Sequence, residues 1–175
     1  MATATLTRPQ PTEHAHYYGK YIDLIREDDI IDVLQTQQSE MASFLRNVPE
    51  SQANVPHPPY TWTLKQVVNH INDGERIFAY RALCIARGDT TPLPGFDEIV
   101  YAKTSMVDRV TLADLAAEFA TVRAATLSLL KSLPDETWSN TGTANGYPVT
   151  VRALAWIMAG HVHHHLAIMK KRVGK

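Results

Sequence analysis

The sequence VRALAWIMAGHVHHHLAIMKKR, residues 151–172, decides the fold because its apolar residues recur at helical spacing. Thr150 is a suitable N-cap for this segment, and the cationic residues at its end favour the C-terminal pole of a helix dipole. The segment therefore predicts an amphipathic helix. One apolar stripe of that helix consists of Val151, Leu154, Met158, Val162 and Met169.

Three further segments show the same spacing, and none alternates with the period of a strand. They begin after the caps Asp28 or Asp29, Thr63 and Thr111, and they end before Pro49, Gly88 and Pro134. Four amphipathic helices of about 20 residues predict an all-α four-helix bundle with long connections. In the last connection, Asn145-Gly146 favours a tight hairpin turn. The three segments are about Asp29–Val48, Leu64–Arg87 and Leu112–Leu133.

Length and composition indicate one globular domain of 175 residues, with 45% hydrophobic and 20% charged residues. Residues 1–20 lack periodicity and are expected to form an extended tail, so that residues 21–175 form the domain. The net charge of −1 argues against a nucleic-acid partner. No apolar run approaches the ~20 residues that span a membrane. Without a signal peptide pattern, and with Cys84 as the single cysteine, a cytoplasmic location is expected.

The histidines of the last segment form the most informative chemical pattern. At about 100° per residue, His161 and His165 fall on the apolar side, one turn apart, whereas His163 points to solvent and His164 lies on a flank. His70 lies at the edge of the apolar face of the second helix. Antiparallel packing would bring it level with the other two, and three imidazoles can hold a metal while leaving positions open for water or substrate.

Two other interpretations of these histidines stay open at this point. Each imidazole can be a buried, hydrogen-bonded part of the core, or the tract can be a chance cluster on the surface. The i, i+4 pair on an apolar face favours a metal site, because two buried imidazoles both need polar partners.

Charged residues within apolar stripes require partners. Glu75 on the second helix and Arg123 on the third are best interpreted as an inter-helix ion pair, because burial of either alone would be costly. If Glu75 lay near the metal, it could instead orient a histidine. Arg81 is a weaker candidate for holding an anionic substrate, and Cys84 is interpreted as a small core residue.

Several separate motifs, in order, resemble one subgroup of the DinB-like superfamily, and the resemblance covers about residues 17–172. It implies a four-helix bundle whose metal is held by His70, His161 and His165. It also implies zinc or nickel as the metal, and a homodimer. The motifs are WTLKQVVNH (62–70), ERIFAYRAL (75–83), ARGD (86–89), LPGFD (93–97), TANG (143–146) and AGH (159–161), followed by the histidines at 164 and 165.

Relatives in that superfamily include bacillithiol transferases and a mycothiol-dependent maleylpyruvate isomerase. The resemblance therefore implies a transferase that activates a low-molecular-weight thiol for attack on a small electrophilic substrate, with His164 as a weak candidate for a catalytic base. Two alternatives remain: a metal-dependent hydrolase that uses the same three ligands, and a non-catalytic metal-binding stress protein.

Overall fold

The computed structural model describes residues 6–174, and all four predicted long helices are present in it. Within that range the chain contains seven α-helices and one two-stranded sheet. The elements are α1 (Gly19–Ile22), α2 (Ile30–Arg46), α3 (Glu50–Ala53), α4 (Leu64–Ala86), α5 (Glu98–Thr104), α6 (Leu112–Lys131), β1 (Thr141–Ala144), β2 (Tyr147–Thr150) and α7 (Val151–Arg172).

The long helices start at the predicted caps. The Asp29 side chain accepts hydrogen bonds from the first turn of α2, and Thr63, Thr111 and Thr150 do the same for α4, α6 and α7. Each cap satisfies backbone N–H groups that have no partner within the helix. Gly88, two residues after α4, has a positive φ of 79°, which suits a helix stop.

The bundle is built on four helix interfaces. Helix α4 packs on α6 and α7, and α2 packs on the same two helices. The single apolar stripe predicted for α7 is too narrow, because Ala153, Ala155, Ile157 and Ala159 are buried as well. Helix α7 is covered by α2, α4 and also by α1. A helix enclosed in this way buries its small residues on every side.

The predicted ion pair between Glu75 and Arg123 is confirmed. Arg123 donates to Glu75 through Nε at 2.7 Å and through Nη2 at 3.0 Å, and both side chains are buried. Nη1 of Arg123 also donates to the carbonyl of Leu34 and to the Gln37 side chain, whose amide donates to the carbonyl of Ala159. This network links α2, α4, α6 and α7, and it fixes their relative register.

The connections are more structured than their sequences indicate. The hairpin of β1 and β2 turns at Asn145-Gly146, where φ is 52° and 79°, as the sequence predicts. Helix α5, by contrast, lies in a connection for which the sequence predicts no helix. Its seven residues make fewer than two turns, which is too few for a recognisable period.

None of the helices described is both long and apolar enough to cross a membrane.

Residues 6–22 pack against α7 and contain two short 3-10 turns followed by α1. Glu13 accepts a hydrogen bond from Thr150 at 2.8 Å and pairs with Arg152, and Ala15 is buried. Residues 1–5, the start of the predicted tail, lie outside the described residues. The division into tail and domain at residue 20 stays a prediction.

Candidate metal centre

Three histidines from two helices converge within the bundle. His70 comes from α4, and His161 and His165 come from successive turns of α7. Their ring centroids are 4.6 to 5.0 Å apart, and one potential ligand atom from each lies within 4.8 Å of the other two. Helical geometry thus predicts which histidines of the tract face inward, because His163 is exposed.

The hydrogen bonds of these rings leave one nitrogen without a partner. Nε2 of His70 lies 2.9 Å from Nε2 of His161, so one nitrogen donates to the other. Nε2 of His165 is buried and has no hydrogen-bond partner among residues 6–174. A buried polar atom without a partner is costly. A divalent ion bound by all three nitrogens would satisfy it, so the residues present fit a metal.

Burial keeps the three imidazoles neutral. It lowers the pKa of His70, lowers the pKa of His161 well below its ordinary value, and lowers the pKa of His165 to about 3. The neighbouring imidazoles add to the effect at His161 and His165, because one protonated ring would repel another. Neutral imidazole is the form that binds a metal. The site is therefore ready to bind an ion at neutral pH without first releasing protons.

Close packing fixes the position of His161. A Cβ added at Gly74, one turn after His70 on α4, would lie 3.1 Å from Cε1 of His161. The His161 ring also makes edge-on contacts with the rings of Tyr21 and Phe78, at centroid distances of 5.6 and 5.9 Å. Glycine at position 74 thus lets α4 and α7 approach closely enough for the histidines to meet.

The histidines line a cavity of about 320 Å³. Most of its other walls are aromatic, and its charged lining residues are Arg81 and Glu98. Such a cavity has the size and character of a small-molecule site. The aromatic residues are Tyr17, Tyr18, Tyr21, Trp62, Phe78 and Phe96.

A loop that is tied to the hairpin forms one side of the cavity. The N–H of Leu93 donates to the carbonyl of Thr143, and the N–H of Asn145 donates to the carbonyl of Leu93, both at 2.9 Å. Nη2 of Arg81 donates to the carbonyl of Pro94 at 2.7 Å. A side chain at Gly95 would collide with Asn145. These contacts hold Phe96 at the cavity.

The remaining predicted residues lie at different distances from this site. Arg81 is buried and lines the cavity, where the sequence places a candidate for anion binding. His164 is half-buried beside Tyr21, with ring centroids 5.3 Å apart, but it does not line the cavity. Burial lowers its pKa. Cys84 packs against the core away from the cavity, as expected of a core residue.

Sequence reasoning missed several lining residues. Tyr17, Tyr18 and Tyr21 precede the first periodic segment, and Glu98 lies in a connection. No helical pattern marks these positions. The one available signal is the density of aromatic residues in HYYGKY (16–21), which is unusual for an unstructured tail.

Comparison with known proteins agrees with the fold. The sequence model of the DinB superfamily matches residues 34–169. A solved structure of YfiT from Bacillus subtilis is similar in fold, with a TM-score of 0.72 at 19% sequence identity; 95% of this chain and 93% of that chain are covered. YfiT is described as "a probable metal-dependent hydrolase with an unusual four-helix bundle topology". A comparison with curated proteins gives no match.

Proposed function

Since this chain belongs to the DinB superfamily, we propose that it is a metal-dependent enzyme that activates a low-molecular-weight thiol for transfer to a small electrophile. His70, His161 and His165 would hold the ion. The convergence of three neutral imidazoles on the wall of an open aromatic cavity carries the proposal. Zinc and nickel are the proposed metals, because both accept imidazole nitrogen.

When bound, the ion would supply Lewis acidity, which lowers the pKa of a coordinated thiol or water so that a nucleophile is available at neutral pH. The protein's own residues do the rest. The His161 imidazole holds its position by packing against Gly74, Tyr21 and Phe78. The aromatic walls bind the apolar part of a substrate and exclude water from the reacting groups.

Metal-assisted hydrolysis is the second candidate. The description of YfiT favours it, and the same three ligands would serve it. A hydrolase also needs a group that accepts a proton from water. Glu98 lines the cavity and is better placed for this role than His164, which the sequence suggests as a weak candidate for a catalytic base.

Cobalt substitution tests the proposal directly. The cobalt-loaded protein should change its visible and near-ultraviolet spectrum on addition of cysteine or 2-mercaptoethanol, and His70→Ala should abolish the spectrum of bound cobalt. His163→Ala is the matched control, because this exposed residue lies in the same tract. An unaltered spectrum with every thiol, together with turnover of ester or amide substrates, would favour the hydrolase.

Three further expectations stay predictions from the sequence and its resemblance. They are a cytoplasmic location, assembly as a homodimer, and the absence of a nucleic-acid or membrane partner.

A further inference from the structure

Arg81 is a buried cation that has no anionic partner. Only 3% of its surface is exposed. The other buried lysine and arginine residues of the described range are compensated, Arg123 by Glu75 and Lys65 by Glu50. Within residues 6–174, no carboxylate forms an ion pair with Arg81. A buried charge without a counter-ion is costly, and the described chain supplies none for Arg81.

The hydrogen bonds of Arg81 are also incomplete. A guanidinium has five N–H donors, and within the described chain Arg81 uses one, from Nη2 to the carbonyl of Pro94. The side chain lines the same cavity as the histidines. Its remaining donors can therefore serve a molecule in that cavity, and a planar guanidinium is well suited to bind a carboxylate through two parallel hydrogen bonds.

The contacts of Phe78 set an upper limit on the distance between Arg81 and the candidate metal centre. The Cζ atom of Arg81 lies 5.9 Å from the centroid of the Phe78 ring, and the centroid of the His161 ring lies 5.9 Å from the same point. The guanidinium is therefore at most about 12 Å from the His161 ring, with Phe78 in contact with both. A compound of one ring and a short chain can reach from one group to the other.

The charges of the cavity are arranged asymmetrically. Glu98 lines the cavity together with the histidines. Tyr17 lies near Arg81: burial raises the pKa of its phenol, and the charge of Arg81 partly opposes that rise. At the Arg81 end an anionic group therefore meets a cation and a neutral phenol that can donate a hydrogen bond.

We propose that Arg81 binds a carboxylate of the substrate. The pocket then selects compounds with an aromatic or apolar body, a carboxylate at the Arg81 end and the reacting group at the histidine end. This inference deepens the proposed function and rests on it for the second half, because the reacting group is defined by the metal centre. The alternative is that Arg81 serves only to hold the loop at Pro94.

Matched acid and amide probes separate these two roles. We would measure the affinity of the cobalt-loaded full-length protein for 3-phenylpropanoate and for 3-phenylpropanamide by calorimetry, and repeat the measurement on metal-free protein. The acid should bind at least about ten-fold more tightly than the amide, both to the cobalt-loaded and to the metal-free protein. Arg81→Gln should remove the preference, because the glutamine side chain carries no charge to pair with the carboxylate. Arg81→Lys should retain part of it.

Arg76→Gln is the matched control, because it removes an exposed arginine from the same helix and should leave the preference unchanged. Equal affinity for acid and amide in the unaltered protein, binding of neither, or a preference that survives Arg81→Gln would each overturn the inference. If the cobalt-loaded protein keeps its preference for the acid but no thiol alters its spectrum, the thiol-transfer function is refuted and the carboxylate site is not.

Discussion

Gly74 and His161 face each other across the interface of α4 and α7, with room between them for a hydrogen atom but not comfortably for a methyl group. A Cβ at position 74 would lie 3.1 Å from Cε1 of His161 and 3.4 Å from its Nδ1. Gly74 lies one turn beyond His70 on α4. The same small residue therefore sets the distance between the ligand-bearing helices and the orientation of one candidate ligand.

Gly74→Ala should weaken metal binding by roughly ten-fold, because the His161 ring must move by a few tenths of an ångström from its two partners. The free energy of unfolding of the metal-free protein should not fall by a comparable amount, since alanine favours a helix over glycine by about 1 kcal/mol. Zinc titration and urea unfolding of the same samples measure both quantities. Unchanged zinc affinity would show that the close approach has no role in the site.

The stability of the metal-free protein should fall as the pH is lowered below about 6.5, the ordinary pKa of histidine. Burial lowers the pKa of His161 and, to about 3, that of His165, so at lower pH the unfolded chain takes up protons that the folded chain does not. Each of the two histidines then removes about 1.4 kcal/mol per pH unit. The loss of stability continues until the pH nears the pKa that each histidine has in the folded protein. Above pH 6.5 these residues do not make the stability depend on pH.

Urea unfolding at about pH 7.5, 6 and 5 measures this slope. His165→Gln should reduce the slope, because one of the proton-excluding sites is removed. His163→Gln should leave it unaltered, because solvent reaches that residue in the folded and unfolded states alike. A slope that is the same in all three proteins would refute the explanation.

Glu75→Gln should destabilise the protein by about 3–5 kcal/mol, because it leaves the Arg123 charge buried without compensation. Replacing both residues by leucine should restore much of that loss. The matched control is Glu118→Gln. Glu118 pairs with Arg76 between the same two helices, but at the surface, where an ion pair contributes about 0–1 kcal/mol. Denaturant unfolding compares the three variants, and equal losses for the buried and surface pairs would contradict the prediction.

Gly160→Ala should displace α1 from the bundle. A methyl group there would collide with the backbone carbonyl of Tyr21, which cannot rotate away as a side chain can. We expect a loss of about 1–3 kcal/mol and faster proteolysis within residues 6–29, with the four long helices retained. Limited proteolysis followed by mass spectrometry identifies the cleavage sites. Protease resistance equal to that of the unaltered protein would contradict the close contact between α1 and α7.

The sequence predicts those parts of the molecule that repeat with the helix period. The caps at Asp29, Thr63, Thr111 and Thr150 are all used. His161 and His165 are separated from His163 by the angle between successive residues alone. The pair of Glu75 and Arg123 follows from the cost of burying one charge without the other.

Other parts of the site could not be predicted in this way. Helices α1 and α5 contain four and seven residues, and their stability comes from packing on the bundle, not from a pattern of their own. Tyr17, Tyr21 and Glu98 therefore reach the cavity through tertiary contacts that no local window of sequence contains. The continuous burial of residues 153–162 of α7 is likewise invisible locally, because alanines carry little hydrophobic signal.

The cavity is lined partly by the long helices and partly by the segments that connect them, and this bears on how such proteins diversify. The three imidazoles belong to the long helices α4 and α7. Other lining residues come from segments that pack against these helices, among them Tyr17, Tyr18, Phe96 and Asn145. Replacing those segments would reshape the cavity while leaving the three imidazoles on their helices. Under the proposed function, a scaffold of this kind can acquire new substrates by exchange of its outer segments while the three imidazoles stay in place.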